Sequence, residues 1–262
     1  MKILRSLQIS GLIGLATLSP LAMSDTILGL YLGAGVWQAD LEGSATQTDA
    51  ATASLDINDT FSSVDDNSNF FYVALEHPVP VLPNIMLQQT DVSVTESGLL
   101  RVDVTFDDQV FGANTGVDST VDFSHLDATL YYEILDNWVT ADLGLTFRQF
   151  DGELTLVGTS GASAGETATQ ELDGVLPMLY AKARIDLPLT GFYISATGNF
   201  IGYDGHSITD ISGAVGYQSD GWVMDIGLEL GLRTFTFELD DLDELDADID
   251  LSGAYAALTI HF

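Results

Sequence analysis

The sequence contains no cysteine, and of its 262 residues only 7 are Lys or Arg and 6 are Pro. Without thiols there is no disulfide framework, thiol catalysis, iron–sulfur cluster or thiolate metal site. A chain of this length can bury enough surface to fold without covalent staples. The scarcity of basic residues excludes nucleic acid as a partner, because phosphate backbones are bound by cationic surface that displaces counterions. It also argues against simple adhesion to anionic lipid. No stretch reaches the roughly 18–20 consecutive apolar residues of a spanning helix. A chain of this composition enters a membrane only as strands.

The first residues read as a secretory leader. Lys2 and Arg5 form a basic start, Ile9 to Leu18 a short apolar stretch broken by Gly11 and Gly14, and Ala22-Met23-Ser24 the small residues of a cleavage site. We expect a signal peptide over 1–24, cut before Asp25, and one domain over 25–262. Two of the seven basic residues fall in the leader, leaving five against 39 Asp and Glu, a net charge of about −34. Such an excess suits solubility in salty surroundings.

After Asp25 the dominant period is two, the strand period. Val139, Ala141, Leu143, Leu145 and Phe147 form one face opposite Thr140, Asp142, Gly144, Thr146 and Arg148. Leu179, Ala181, Ala183 and Ile185 oppose Tyr180, Lys182, Arg184 and Asp186, and Leu126 to Ile134 and Trp222 to Leu232 alternate in the same way. A soluble sandwich alternates too. Two features favour a membrane barrel. In these strands every ionisable residue falls on one face, with Gly, Thr and Tyr beside it, as in a polar lumen. Tight turns at Leu135-Asp136-Asn137, Pro188 to Gly191 and Ser219-Asp220-Gly221 alternate with longer polar loops, the rhythm of an outer-membrane barrel. The pattern predicts an all-β, up-and-down antiparallel transmembrane β-barrel of ten strands, at 26–38, 69–77, 84–95, 120–135, 138–154, 173–187, 192–202, 207–218, 222–239 and 248–262. Eight and twelve remain open, because Gln88, Gln89 and Asp91 interrupt the apolar face of the third strand and Leu100 to Phe106 reads as a further strand outside the membrane. An even count puts both termini on the periplasmic side.

The last strand sets Ala254, Ala256, Leu258, Ile260 and the terminal Phe262 on one face. Leu258, Ile260 and Phe262 read as the signal for the barrel-assembly machinery, against the plainer reading of a soluble strand that ends on Phe. Aromatics near strand ends (Tyr31, Trp37, Phe70, Phe71, Tyr72, Tyr132, Trp138, Phe192, Tyr193, Tyr217 and Trp222) are expected at the membrane–water boundary, with Trp138 and Trp222 in the periplasmic girdle. The alternative is ordinary β-propensity.

The segments FFYVALEHPVPVLPNI (70–85), LYYEILDNWV (130–139), LPMLYAKARIDLPLTG (176–191) and ELDDLDELDADIDLSGAYAALTIHF (238–262) resemble an uncharacterised family of outer-membrane β-barrel proteins of marine and related proteobacteria. The resemblance implies fold and location, the cell outer membrane. It carries no activity and no functional residue.

Within this register Glu76, Asp127, Glu133, Asp142, Arg148, Lys182, Arg184, Asp186, Asp225, Glu229 and Arg233 point inward. Unpaired charges in a narrow lumen are costly, so these form a salt-bridge and hydrogen-bond network, with Asp142 and Arg184 at matching heights as one pair. A selectivity lining for a narrow pore is the competing reading. Small barrels are usually filled, which favours the structural one. Gly29, Gly33 and Gly35 relieve crowding in the lumen, since no helix follows to make a phosphate loop.

Catalysis would need a base with partners. Of four His, only His125, two residues before Asp127 on one inward face, could serve an outer-membrane hydrolase at the barrel mouth. A satisfied His–Asp pair is the commoner outcome, and no GxSxG motif is present. The seven acids from Asp240 to Asp250 suggest divalent cations bridging an external loop to lipopolysaccharide, but lack the EF-hand pattern. A solvated hairpin tip is the plainer reading. Asp40 to Asn69 and Gly158 to Thr169 read as long external loops. The expected function is a structural or narrow-pore barrel without catalysis or cofactor, with the hydrolase and a surface binding module as alternatives. Its partners are membrane lipid, lipopolysaccharide and the assembly machinery.

Overall fold

The computed structural model describes residues 28–47, 54–56, 61–62, 66–107, 109–219, 221, 224–242 and 245–262. The expected leader and Trp222 lie outside them. The elements are β1 (Gly29–Gln47), β2 (Ser54–Asp56), β3 (Phe61–Ser62), β4 (Asp66–Glu76), β5 (Asn84–Asp91), β6 (Ser93–Leu99), β7 (Val104–Phe106), β8 (Gln109–Phe111), β9 (Gly116–Asp122), β10 (His125–Leu135), β11 (Val139–Gly158), β12 (Thr167–Asp186), β13 (Phe192–Tyr203), β14 (His206–Ser219), β15 (Asp225–Leu242) and β16 (Leu245–His261).

Ten strands, in the order β10-β5-β4-β1-β16-β15-β14-β13-β12-β11, close on themselves through β10 and β11. Every pairing is antiparallel, so the ten-strand up-and-down barrel read from the alternation is the fold. Closure matters because it leaves no unpaired strand edge in lipid. The first and last strands meet in register from Tyr31↔His261 to Gln47↔Leu245. Leu30 and Phe262 exchange backbone hydrogen bonds at the end where the tight turns lie.

Several boundaries differ from the sequence reading. β1 runs to Gln47 and β4 starts at Asp66, so much of the expected 40–69 loop is strand. β11 and β12 likewise pair as far as Val157↔Thr167, into the expected 158–169 loop. The third and fourth strands break at Val92 and at Phe123-Ser124, where Val92 N–H donates to Ser124 Oγ and Phe123 N–H to the Val92 carbonyl. Beyond the break they continue as β6 and β9, which pair with each other while β9 stays on β11. The further strand expected near Leu100 to Phe106 is β7, hairpinned with β8 outside the barrel sheet.

The wall has two storeys with opposite sidedness. In the half nearer the tight turns, Leu143, Leu145 and Phe147 face outward, and Asp142, Thr146 and Arg148 are buried inside. Past Arg148-Gln149 the apolar positions change parity. Phe150 and Leu156 are buried inside, and Gln149, Asp151 and Glu153 are exposed outside. β12 makes the same switch between Met178 (buried) and Leu179 (exposed), β1 between Val36 and Trp37, and β15 between Leu232 and Phe235. The backbone alternation is unbroken, so the change lies in the residues. Below it the outer solvent is lipid, and above it the outer solvent is water. Val139 to Phe147 covers roughly 26 Å of strand at about 3.3 Å per residue, or about 20 Å of depth at a tilt of ~40°, near the ~25 Å band of such barrels.

The upper storey holds an apolar core of Trp37, Leu41, Val94, Val121, Phe123, Phe150, Leu156, Phe235 and Leu251, into which Leu100 and Phe111 of the β6–β9 connection also pack. Trp37 therefore belongs to the core, not to a girdle. Tyr31, Phe70 and Tyr72 line the lumen and Tyr193 is buried, whereas Phe71, Tyr132, Trp138, Phe192 and Tyr217 are exposed on the outer face. Gly33 and Gly35 lie beneath the Tyr72 and Phe70 rings, where a Cβ would strike them.

Two substitutions of the same chemistry test the two storeys. Leu145→Arg, on the outer face, is expected to cost about 2–4 kcal/mol, and Leu156→Arg, on the inner face above the switch, a similar amount through an unpaired buried charge. Glu153→Lys, outward and cross-strand from Glu171 and Asp122, is expected to be neutral or mildly stabilising. Denaturant unfolding in phospholipid vesicles measures all three.

Candidate functional site

At the level of the parity switch the lumen is crossed by four charged side chains. Asp127 (β10) and Arg148 (β11) are opposite each other in register. Arg148 Nε and Nη2 donate to Asp127 Oδ1 and Oδ2 at 2.8 and 2.7 Å. Nη2 also donates to Asp210 Oδ2 of β14 at 2.6 Å. Arg233 (β15) completes the chain, donating to Asp210 Oδ1 and Oδ2 at 2.9 and 2.8 Å. Since β14 lies across the lumen from β10 and β11, the chain Asp127–Arg148–Asp210–Arg233 is a chord of the barrel. It is electrically neutral, and both Arg–Asp pairs at its ends are two-pronged, the strongest geometry for such contacts. The apolar core rests on it directly: the Arg148 guanidinium lies 5.6 Å from the Phe235 ring centre and that of Arg233 4.8 Å from Trp37.

His125 is packed into the same layer. It is 1% exposed, its Nδ1 bonds the Phe123 carbonyl at 2.7 Å, and its ring lies between Phe150 and Phe235. The expected His125–Asp127 pair at an open mouth is absent: His125 is walled in by aromatics, and Asp127 is engaged by Arg148. Ser124 Oγ is turned to the Val92 amide.

Nearer the tight turns the remaining inward residues surround an open chamber. Arg184 pairs with Asp186 at 2.8 Å and Gln218, and stacks 3.7 Å over Tyr193. The expected Asp142–Arg184 pair does not form, because the register sets Asp142 opposite Lys182 and Arg184 opposite Thr140. Tyr193 Oη donates to Glu229 and Tyr131 Oη to Glu76, at 2.8 and 2.7 Å. Glu133 lies beside Glu76. Asp225 accepts from Gln218 and the Gly221 amide, with His261 at 3.7 Å. Thr129, Thr146 and Asn199 form a hydroxyl–amide chain across the wall. The chamber encloses about 130 Å³.

Solvent reaches these groups from one end. Arg184 and Asp186 side chains are 25% and 40% exposed, whereas Arg148 and Asp210 are 0% and 5%. Leu258 and Phe262 are exposed on the outer face of β16. Among the described residues no group of His, Asp and Glu is arranged to hold a metal. The side chains of 240–247, most of the acidic run, lie outside them.

Sequence reasoning missed Asp210, the acid shared by both arginines, and the tyrosines 131, 180 and 193. The signal was available: Ile211, Val215 and Tyr217 alternate against Asp210, Ser212 and Ala214.

A closed ten-strand wall, an apolar belt and a polar lower lumen define a transmembrane β-barrel. No family model matches the chain, and no curated protein matches it. Among solved structures it is similar to a Pseudomonas aeruginosa FadL homologue, at 10% identity over 90% of each chain with a TM-score of 0.30. The CymD monoaromatic hydrocarbon channel is similar at 10% identity, over 90% of this chain and 88% of that one, with a TM-score of 0.29. The TodX monoaromatic hydrocarbon channel deltaS2 mutant follows at 10% identity, over 88% and 90%, with a TM-score of 0.20. The barrel assignment rests on the strand pairing itself.

Removing Asp210 leaves two buried guanidinium groups without their shared acid. Asp210→Ala is expected to destabilise the barrel by about 3–5 kcal/mol, and the simultaneous replacement of Asp127, Arg148, Asp210 and Arg233 by apolar residues of similar size to recover most of that loss. Guanidinium titrations of the single and quadruple variants check both. A quadruple variant weaker than the single one contradicts this.

Proposed function

We propose that the chain is an outer-membrane barrel with a structural role, closed to solute flow and without catalytic chemistry. One observation carries this reading: the neutral ion-pair chord lies directly under an apolar core filled by Leu100 and Phe111 from the β6–β9 connection. A permeating ion would have to break the chord and then cross a dry layer several side chains thick, and burying an unpaired charge there costs several kcal/mol. The narrow-pore version of the role requires the polar lining to continue through both storeys, and it stops at Arg148. A hydrolase requires His125 to be reachable, and its enclosure opposes that.

On this reading the belt is covered by lipid and, above it, by lipopolysaccharide, with tight turns and both chain ends on the periplasmic side. The outward row Leu258, Ile260 and Phe262 on the closing strand faces outward, where the assembly machinery would contact it. Divalent cations at the acidic external segments remain part of the proposal for the upper rim.

The refolded chain is expected to be electrically silent in a planar bilayer, with folding verified by its heat-modifiable gel shift. Leu100→Ser/Phe111→Ser, which loosens the apolar layer, is expected to give brief, irregular openings. Steady openings of the unmodified barrel would contradict the closed reading.

A further inference from the structure

Under the ion-pair chord the lumen is a chamber with one mouth, at the tight-turn end. Its charges do not cancel. Asp127 and Asp210 are neutralised by Arg148 and Arg233. Below them Glu76 and Glu229 line the cavity with Lys182, and Arg184, stacked on Tyr193 nearer the mouth, is matched by Asp186. Asp142 stands behind this lining and adds to the excess. It is 2% exposed, on the inward face between its register partners Glu133 and Lys182, and its Oδ1 has no hydrogen-bond partner. A buried carboxylate oxygen left unmatched is costly in this surrounding. A positive charge in the adjoining cavity would offset part of that cost through space.

The lining also carries aromatic rings, set among Gln88, Ser195, Thr197, Asn199 and Ser212. Tyr72, Tyr131, Tyr180 and Tyr255 present rings to the same space. Tyr131 and Tyr180 stand 5.8 Å apart at 51°. Ring faces carry negative electrostatic potential and attract cations, more strongly when water is thin. Carboxylates in excess and several tyrosine faces around one small cavity suit a positive charge spread over an organic group. A metal ion fits less well, since the described residues offer no set of three converging ligands. The volume of about 130 Å³ is close to the ~150 Å³ of an engineered protein cavity that admits one benzene, so the guest has only a handful of heavy atoms.

We propose that this chamber binds a small organic ammonium ion, entering from the tight-turn side and stopped by the Arg148–Asp210 chord. The dead end rests on the closed-lumen reading; the binding does not.

The test is calorimetric titration of the refolded chain in detergent micelles with tetramethylammonium chloride, at fixed ionic strength, against tert-butanol as a neutral probe of similar size. Saturable heat is expected for tetramethylammonium and none for tert-butanol. Glu229→Gln, at a carboxylate that lines the cavity, is expected to weaken binding about tenfold, and Tyr180→Leu several-fold. Glu76→Gln, the other lining carboxylate, serves if Glu229→Gln does not fold. No saturable heat, equal heat from both probes, or undiminished affinity in the folded variants overturns the proposal. Sealed vesicles carrying the barrel separate the two readings. Leakage of tetramethylammonium through them overturns the closed lumen and leaves the binding site standing.

Discussion

The structure depends on one constraint: a single continuous strand must satisfy lipid along one part of its outer face and water along the next. Backbone alternation cannot adjust, because each side chain's direction is set by the pleat. The residue pattern must change instead, and it does so at one height around the barrel, between Phe147 and Phe150, Met178 and Leu179, Val36 and Trp37, and Leu232 and Phe235. Below that height the lumen is polar because the outside is apolar. Above it the inside is apolar because the outside is wet. The upper storey is thus built like a soluble β-barrel set on a membrane one.

That inversion explains where the ion pairs lie. The layer at which an apolar core meets a polar lumen is the poorest place to leave an unmatched charge, since one side offers no water. Asp127, Arg148, Asp210 and Arg233 are matched to one another there and bring their guanidinium faces against Phe235 and Trp37. Each arginine meets the polar layer with its nitrogens and the apolar one with its flat face. The neutral sum of the four leaves the net negative field to the chamber below, and so ties the lumen's electrostatics to the position of the seal.

Much of the barrel was legible before any coordinates. Most of the wall strands follow from period-two runs and turn residues, because lipid and lumen impose a strict contrast on alternate positions; the third, where Gln88, Gln89 and Asp91 interrupt the apolar face, left the count open at eight, ten or twelve. The parity switch was equally present in the letters, in Phe147-Arg148-Gln149-Phe150, but a strand assigned one apolar face throughout conceals it. Trp37 illustrates the consequence. Its nearness to a strand end suggested a girdle, whereas its odd number against the even run Leu30, Leu32, Ala34, Val36 placed it inside. Partners across the lumen were not legible, since Arg148 and Asp210 are 62 residues apart and on strands that do not touch. Their meeting depends on barrel diameter and stagger, and no local pattern carries either. The mispairing of Asp142 with Arg184 came from the same source, a register offset of two residues.

The central claim is the change of outer solvent at the level of Arg148, and the absence of native cysteine gives a clean background for testing it. Single cysteines at the outward positions 143, 145, 147, 149, 151 and 153 of β11, each carrying an environment-sensitive fluorophore, would be read in vesicles containing brominated lipid. Strong quenching from Leu143→Cys to Phe147→Cys, falling away by Asp151→Cys and Glu153→Cys, is the predicted profile. Quenching that continues undiminished to Glu153→Cys would mean that lipid covers the upper storey as well, and would contradict the account.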